Sequence, residues 1–186
     1  WQKCAENLEE WLTLGISKKR ELFLLRLGKL YSENLNKPKR ALDCLREAIK
    51  VKPDFISGHV ALVDLLLSQE NWSDGVLSIE ELLKHEKDKN QRSKWLLKLA
   101  SLLFEKTNNP EKAVEIARRL IAEGETTIDG YQLLAKIHTH QKDWNGAIEI
   151  YSKINEIATS GEAKKSALME RGRILKDKLN KPKVAI

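Results

Sequence analysis

The sequence predicts an all-α fold in which antiparallel helix pairs are stacked as a repeat array. Three observations carry this prediction: a small residue recurs, an apolar row with helical spacing follows it, and a helix-starting residue stands three positions before it. Successive small residues are 36, 34, 38, 34 and 38 positions apart, a range typical of helical repeats. They are Ala5, Ala41, Gly75, Ala113, Ala147 and Ala185. Function in such an array depends on recognition along a surface.

Each small residue lies in the first turn of a predicted second helix. After Ala41, for example, Leu45 and Ile49 continue one face of an amphipathic helix. A proline at the first helical position has its φ preset and loses no hydrogen bond, and tryptophan alternates with proline there. The starting residues are Pro38, Trp72, Pro110, Trp144 and Pro182. The residues before them that predict good N-caps are Asn71, Asn109 and Asp143; Lys37 and Lys181 are poor caps.

A first helix precedes each second helix and carries its own compact residue, 12 or 13 positions before the small one. Compact residues on both helices allow a close antiparallel crossing. The compact residues are Gly28, Val63, Ala100, Ala135 and Gly172. The connections that lead into the third and fifth pairs are longer by three residues, so we expect first helices of about 18 residues there and about 15 elsewhere.

The segment 127–158 resembles the tetratricopeptide repeat, whose pattern runs aromatic, Leu, small, aromatic, then Ala in the second helix. The residues that carry the resemblance are Tyr131, Leu134, Ala135, His138, Trp144, Ala147 and Tyr151. Gly28, Tyr31, Ala41, Ala48 and Pro53 match the same pattern in the first repeat. The resemblance implies a right-handed superhelical α-solenoid of about five repeats with alternating 34- and 38-residue steps.

We expect one solenoid domain over 1–186. Its parts are a second helix of a preceding repeat (1–16), repeat 1 (18–53), repeat 2 (54–87), repeat 3 (88–125), repeat 4 (126–159) and a truncated repeat 5 (160–186). Ala41, Ala113 and Ala185 are 72 residues apart, which indicates a duplicated two-repeat unit. Because the first and last segments are incomplete repeats, we expect a longer array in the native protein.

Composition and motifs indicate a non-enzymatic protein without cofactor or metal. The chain has 186 residues, with 33 basic and 27 acidic side chains and a net charge of +6, and the two signs alternate along the helices. No apolar stretch is long enough for a membrane span.

His138 and His140 lie two apart and point to different helix faces, so we expect packing rather than metal binding. Cys4 and Cys44 are expected to be buried, reduced thiols. A cytoplasmic location is expected.

By the resemblance, the first helices line a concave face that binds partners. The predicted partner-binding residues are Lys29, Val60, Asp64, Lys94, Leu97, Ser101, Gln132, Lys136, His140 and Arg173. This mixture of apolar and charged side chains suits an extended peptide or an amphipathic helix of another protein. Lys136 and Arg173 favour an acidic ligand stretch, and open ends of the array favour self-association. The lysine and asparagine set with which some relatives clamp a C-terminal carboxylate is absent.

Two alternatives stay open at this point. An RNA-binding helical repeat would use the net positive charge, but polar residues do not recur at fixed coding positions as such repeats require. The segment could also be the helical arm of a larger enzyme with its catalytic domain elsewhere.

Overall fold

The computed structural model describes residues 1–15, 19–124 and 127–179, and this part of the chain forms ten α-helices and no strand. The chain divides into two compact units, Trp1–Lys87 and Asp88–Ile186. In the described residues no helix is both long and apolar enough to cross a membrane.

The first unit contains five helices. They are α1 (Gln2–Thr13), α2 (Arg20–Glu33), α3 (Pro38–Val51), α4 (Ile56–Ser68) and α5 (Trp72–His85). α2 packs on α3 and α4 packs on α5 as the predicted pairs, while α1 packs on α2 and α3 on α4.

The second unit contains the other five helices of the described residues. Its helices are α6 (Lys89–Glu105), α7 (Pro110–Glu123), α8 (Thr127–His140), α9 (Trp144–Ile157) and α10 (Gly161–Asp177). α6 pairs with α7 and α8 with α9, and α10 packs on α9. α6 and α10 have 17 residues each, against 13 or 14 in α2, α4 and α8, so the predicted difference in length is confirmed. The predicted second helix at 182–186, with Lys181, Pro182 and Ala185, lies outside the described residues.

The predicted helix starts are confirmed for α3, α5, α7 and α9. The side chains of Asn71, Asn109 and Asp143 each accept a hydrogen bond from the backbone N–H three residues later, whereas Lys37 makes no such cap. Two residues before each start, the chain turns through the left-handed region. The residues with this conformation are Asn36, Glu70, Asn108 and Lys142, with φ of 49°, 56°, 50° and 59°.

The recurring small residues lie where paired helices cross. Ala41, Ala113 and Ala147 are completely buried. A Cβ on Gly28 of α2 would lie 2.9 Å from the side chain of Leu45 on α3, so only glycine allows this approach without a shift. The small-residue pattern therefore sets the spacing within each pair.

A polar junction at Tyr31 joins the first three helices. The Tyr31 ring is 1% exposed, and its hydroxyl donates to Glu9 Oε1 of α1 at 2.5 Å. Arg40 of α3 donates to the same hydroxyl at 2.9 Å, and its guanidinium lies over the ring. Burial, reinforced by the Glu9 carboxylate, raises the pKa of Tyr31. The hydroxyl thus stays protonated and holds α1 against the first pair.

The expectation that both cysteines are buried is wrong. Cys4 is exposed, because its side of α1 carries no packed helix in the described part of the chain. Cys44 on α3 is half-buried.

The two thiols should react at very different rates. Burial raises the pKa of Cys44 to about 11, with further contributions from Glu9 and Asp43, so at about pH 8 only about one Cys44 in a thousand is a thiolate. We expect N-ethylmaleimide to label exposed Cys4 at least about tenfold faster than Cys44, as measured by mass spectrometry of the peptides. Labelling in denaturant is the control, where the rates should converge. Equal rates in the native protein would contradict the packing of α3.

A half-buried ion pair braces α6 against α7. Arg92 Nε and Nη2 donate to the two Glu123 carboxylate oxygens at 3.1 and 3.2 Å, and Arg119 donates to the same carboxylate at 2.9 Å. Hydrogen bonds from Arg92 and, to a smaller extent, from Arg119 lower the pKa of Glu123. The stabilisation is therefore complete above the unfolded pKa of about 4.5 and disappears as the pH falls through the lower folded value.

We expect Glu123→Gln to lower the free energy of unfolding by about 1–2 kcal/mol near pH 7. The difference from the wild type should shrink as the pH falls below about 4. Urea unfolding at both pH values measures it, with exposed Glu115→Gln on the same helix as the control. A difference that does not change with pH would contradict the role of the carboxylate.

Candidate functional site

A groove lies between two successive first helices of the first unit. α2 and α4 are its walls, and its volume is about 540 Å³. Lys29, Val60 and Asp64, three of the predicted partner-binding residues, all line it. The sequence pattern thus places residues from two repeats on one surface.

The groove has an apolar floor and a polar rim. Leu45 and Leu65 form part of the floor and belong to the buried core of this unit. Half-buried Val60 stands on the α4 wall, while Lys29 and Glu33 are exposed on α2. Such a surface removes an apolar side chain from water and leaves charged groups available at the edge.

In the second unit, the predicted residues lie on α6, α8 and α10. Leu97 and Ser101 are half-buried on α6, and Lys94 is exposed. Gln132, Lys136 and His140 are exposed on α8, and Arg173 is exposed on α10.

Contacts within the second unit neutralise much of the predicted basic character. Lys136 Nζ lies 2.5 Å from Glu105 Oε1 and 5.9 Å from the centre of the Phe104 ring. The same ring makes an edge contact with His140, with centroids 5.2 Å apart. These contacts join α6 to α8, so Lys136 and His140 hold helices together as well as facing outward.

Arg173 Nε lies 3.6 Å from a Glu170 oxygen on its own helix. Lys136 and Arg173, the two residues that favour an acidic ligand stretch, therefore each have a carboxylate partner within the chain. Exposed ion pairs of this kind are weak. Lys136 or Arg173 can therefore exchange its present carboxylate partner for a carboxylate of a ligand.

Sequence reasoning missed the groove residues Ile56, Ser57 and Ala61, which line the α4 wall. The spacing of four that relates Ile56, Val60 and Asp64 is the signal that identifies such a wall. Leu67 of α4 points at α5, where a Cβ on Gly75 would lie 2.6 Å from its side chain.

The two neighbouring histidines of α8 have separate structural roles. His138 Nδ1 lies 2.8 Å from Asp143 Oδ2, the carboxylate that also caps α9 by accepting from the Gly146 N–H at 3.0 Å. Both contacts lower the pKa of Asp143, and the hydrogen bond from the Gly146 backbone contributes more than the one with His138. No group of three or more metal-ligating side chains occurs in the part of the chain that the structure describes.

Large apolar side chains are also exposed outside the groove. Trp11 and Leu14 at the end of α1 are 51% and 60% exposed, and Met169 on α10 is 64% exposed. Trp11 makes an edge contact with Phe23 of α2, with centroids 5.8 Å apart. Exposed apolar groups of this size favour association with another surface.

Family models of the tetratricopeptide repeat match the sequence at residues 23–55 and 96–123. The first match spans most of α2 and all of α3, and the second spans most of α6 and all of α7, so each covers one helix pair. These two helix pairs are tetratricopeptide repeats. A comparison with curated proteins gives no match.

Solved tetratricopeptide repeat structures share the fold at low sequence identity. YrrB, described as having an unusual peptide-binding site, is 15% identical with a TM-score of 0.62, over 94% of this chain and 87% of its own. MamA is 16% identical with a TM-score of 0.66, over 91% and 87%. PilF of Pseudomonas aeruginosa is 14% identical with a TM-score of 0.56, over 99% and 80%. Tetratricopeptide repeats are in general protein-interaction scaffolds rather than catalysts, which agrees with the helix pairs and groove of this chain.

Proposed function

We propose that this chain is a non-enzymatic scaffold that holds a peptide or a helix of a partner protein in its concave groove. The observation that carries the proposal is the groove in which Lys29, Val60 and Asp64 of two repeats line one volume of about 540 Å³. A volume in the range of ordinary ligand pockets accommodates a few side chains of a bound segment. The description of YrrB as a protein with a peptide-binding site supports the same use of the fold.

The remaining predicted residues extend this proposal to the second unit. There, Leu97, Ser101 and Gln132 supply neutral contacts, and Lys94 supplies an exposed cation. An acidic stretch of the partner would bind at Lys136 and Arg173 by displacing their present carboxylate partners. We propose a cytoplasmic location for this binding.

Loss of peptide binding after blocking the groove tests the proposal. The wild-type chain is immobilised, and peptides are selected from a random twelve-residue display library. The selected peptides are then measured against Val60→Arg, which fills the groove, and against Leu77→Arg, which places the same side chain on an exposed position of α5.

We expect Val60→Arg to weaken binding at least about tenfold and Leu77→Arg to leave it within about twofold. Equal binding by all three proteins would contradict the groove as the binding site. Circular dichroism of Val60→Arg confirms that its helices are intact.

Self-association is a second candidate function, and exposed Trp11 and Leu14 are the observation that favours it. Sedimentation velocity of the wild type should show concentration-dependent association that the double variant Trp11→Ser, Leu14→Ser reduces. A wild type that stays monomeric at all concentrations would end this candidate.

A further inference from the structure

The groove of the first unit is apolar at one end and acidic at the other. Along α4, Ile56 and Val60 come first, and Asp64 and Ser68 follow on the same stripe at spacings of four. On α2, Glu33 lines the groove one turn after Lys29. The polarity of the groove therefore changes along the helix direction.

The helix ends add negative potential at the acidic end. α2 ends at Glu33 and α4 ends at Ser68, and both residues line the groove. Neither helix has a basic residue in its last turn to offset the partial negative charge of its carbonyl end. The charged lining residues Lys29, Glu33 and Asp64 sum to one positive and two negative charges, a net charge of −1.

We propose that this groove selects a peptide segment in which an aliphatic side chain and a lysine or arginine lie two residues apart. The aliphatic side chain packs on Ile56 and Val60, and the cation lies between Glu33 and Asp64 at the helix ends. This inference rests on the proposed peptide-binding function and adds the chemistry of the ligand.

The spacing follows from the geometry of the α4 wall. Val60 and Asp64 are one helical turn apart, about 6 Å along the axis. An extended chain advances about 3.3 Å per residue and returns to the same face every second residue. Two residues of an extended ligand therefore match one turn of the wall.

The same groups disfavour an acidic residue at that place. A ligand carboxylate beside Glu33 and Asp64 would meet two like charges and the carbonyl ends of two helices. Lys29 lies one turn away on α2, where it can donate to a backbone carbonyl of the ligand.

Three pools of nine-residue peptides test the inference. Every peptide contains one fixed leucine. The residues two places before and two places after it are arginine in the first pool, glutamate in the second and alanine in the third, and all remaining positions are randomised. Fluorescence polarisation measures binding of each pool to the wild type, Glu33→Lys and Val60→Arg. Asp43→Lys, an exposed charge reversal on α3, is the matched control.

We expect the wild type and Asp43→Lys to bind the arginine pool about five- to tenfold more tightly than the glutamate pool at low salt. High salt should reduce this preference. Glu33→Lys should abolish or reverse it, and Val60→Arg should weaken all three pools together.

Two results overturn the inference in different ways. If all pools bind equally to the wild type but lose affinity with Val60→Arg, the groove binds peptides but the selection for a basic residue is wrong. If no pool binds, or if Val60→Arg changes nothing, the proposed function fails and the inference fails with it.

Discussion

Replacing Tyr31 by alanine is expected to lower the free energy of unfolding by about 3–5 kcal/mol, because it removes a large, fully buried side chain. The ring is 1% exposed and packs with Leu27, Leu45 and Ala41 in the core of the first unit. The substitution also removes the hydroxyl that Glu9 and Arg40 share. Urea unfolding followed by circular dichroism measures the loss.

Tyr31→Phe separates the two parts of this effect. It keeps the ring in the core and removes only the hydroxyl, so we expect a loss of about 1 kcal/mol. If the alanine and phenylalanine variants lost the same stability, the ring would not be the element that joins α1, α2 and α3.

Replacing Ala147 by phenylalanine is expected to cost about 1–3 kcal/mol, because the α8–α9 crossing has no room for a ring. Ala147 of α9 and Ala135 of α8 are both completely buried. Thermal unfolding of the variant measures the cost as a lower melting temperature.

Ala122→Phe is the matched control for this prediction. Ala122 lies on α7, also a second helix, but it is exposed. A phenylalanine there should change the stability by less than about 0.5 kcal/mol. Equal losses in the two variants would contradict the small residue as the feature that sets the helix spacing.

Local sequence signals were enough to predict the helices and their pairing. Pro38 and Pro110 preset the first turn, Asn71 and Asn109 satisfy the free N–H groups, and recurring small residues allow close crossings. These effects act within a few residues of the chain, so they can be read without knowledge of the tertiary structure.

Contacts between distant residues could not be predicted in the same way. Glu105 and Lys136 are 31 positions apart and meet only after α6 and α8 pack together. Likewise, Cys4 is exposed because no helix covers its side of α1 in the described residues. The position of Cys4 in the apolar pattern does not show which helices cover α1.

The candidate site falls between these two cases. Lys29 and Asp64 occupy the same position in two successive repeats, so the repeat pattern predicts both as site residues. In the structure both line the groove. The acidic end was not foreseen, because it depends on Glu33 and the ends of two helices lying on the same groove.

Site-specific photo-crosslinking tests the central claim, that the groove between α2 and α4 binds the partner segment, most directly. A benzophenone amino acid replaces Val60 in one protein and exposed Leu77 in another, and each is irradiated with a peptide selected on the wild type. We predict a crosslink at position 60 that excess unlabelled peptide suppresses, and none at position 77. A crosslink at position 77 alone, or equal crosslinking at both positions, would contradict the account.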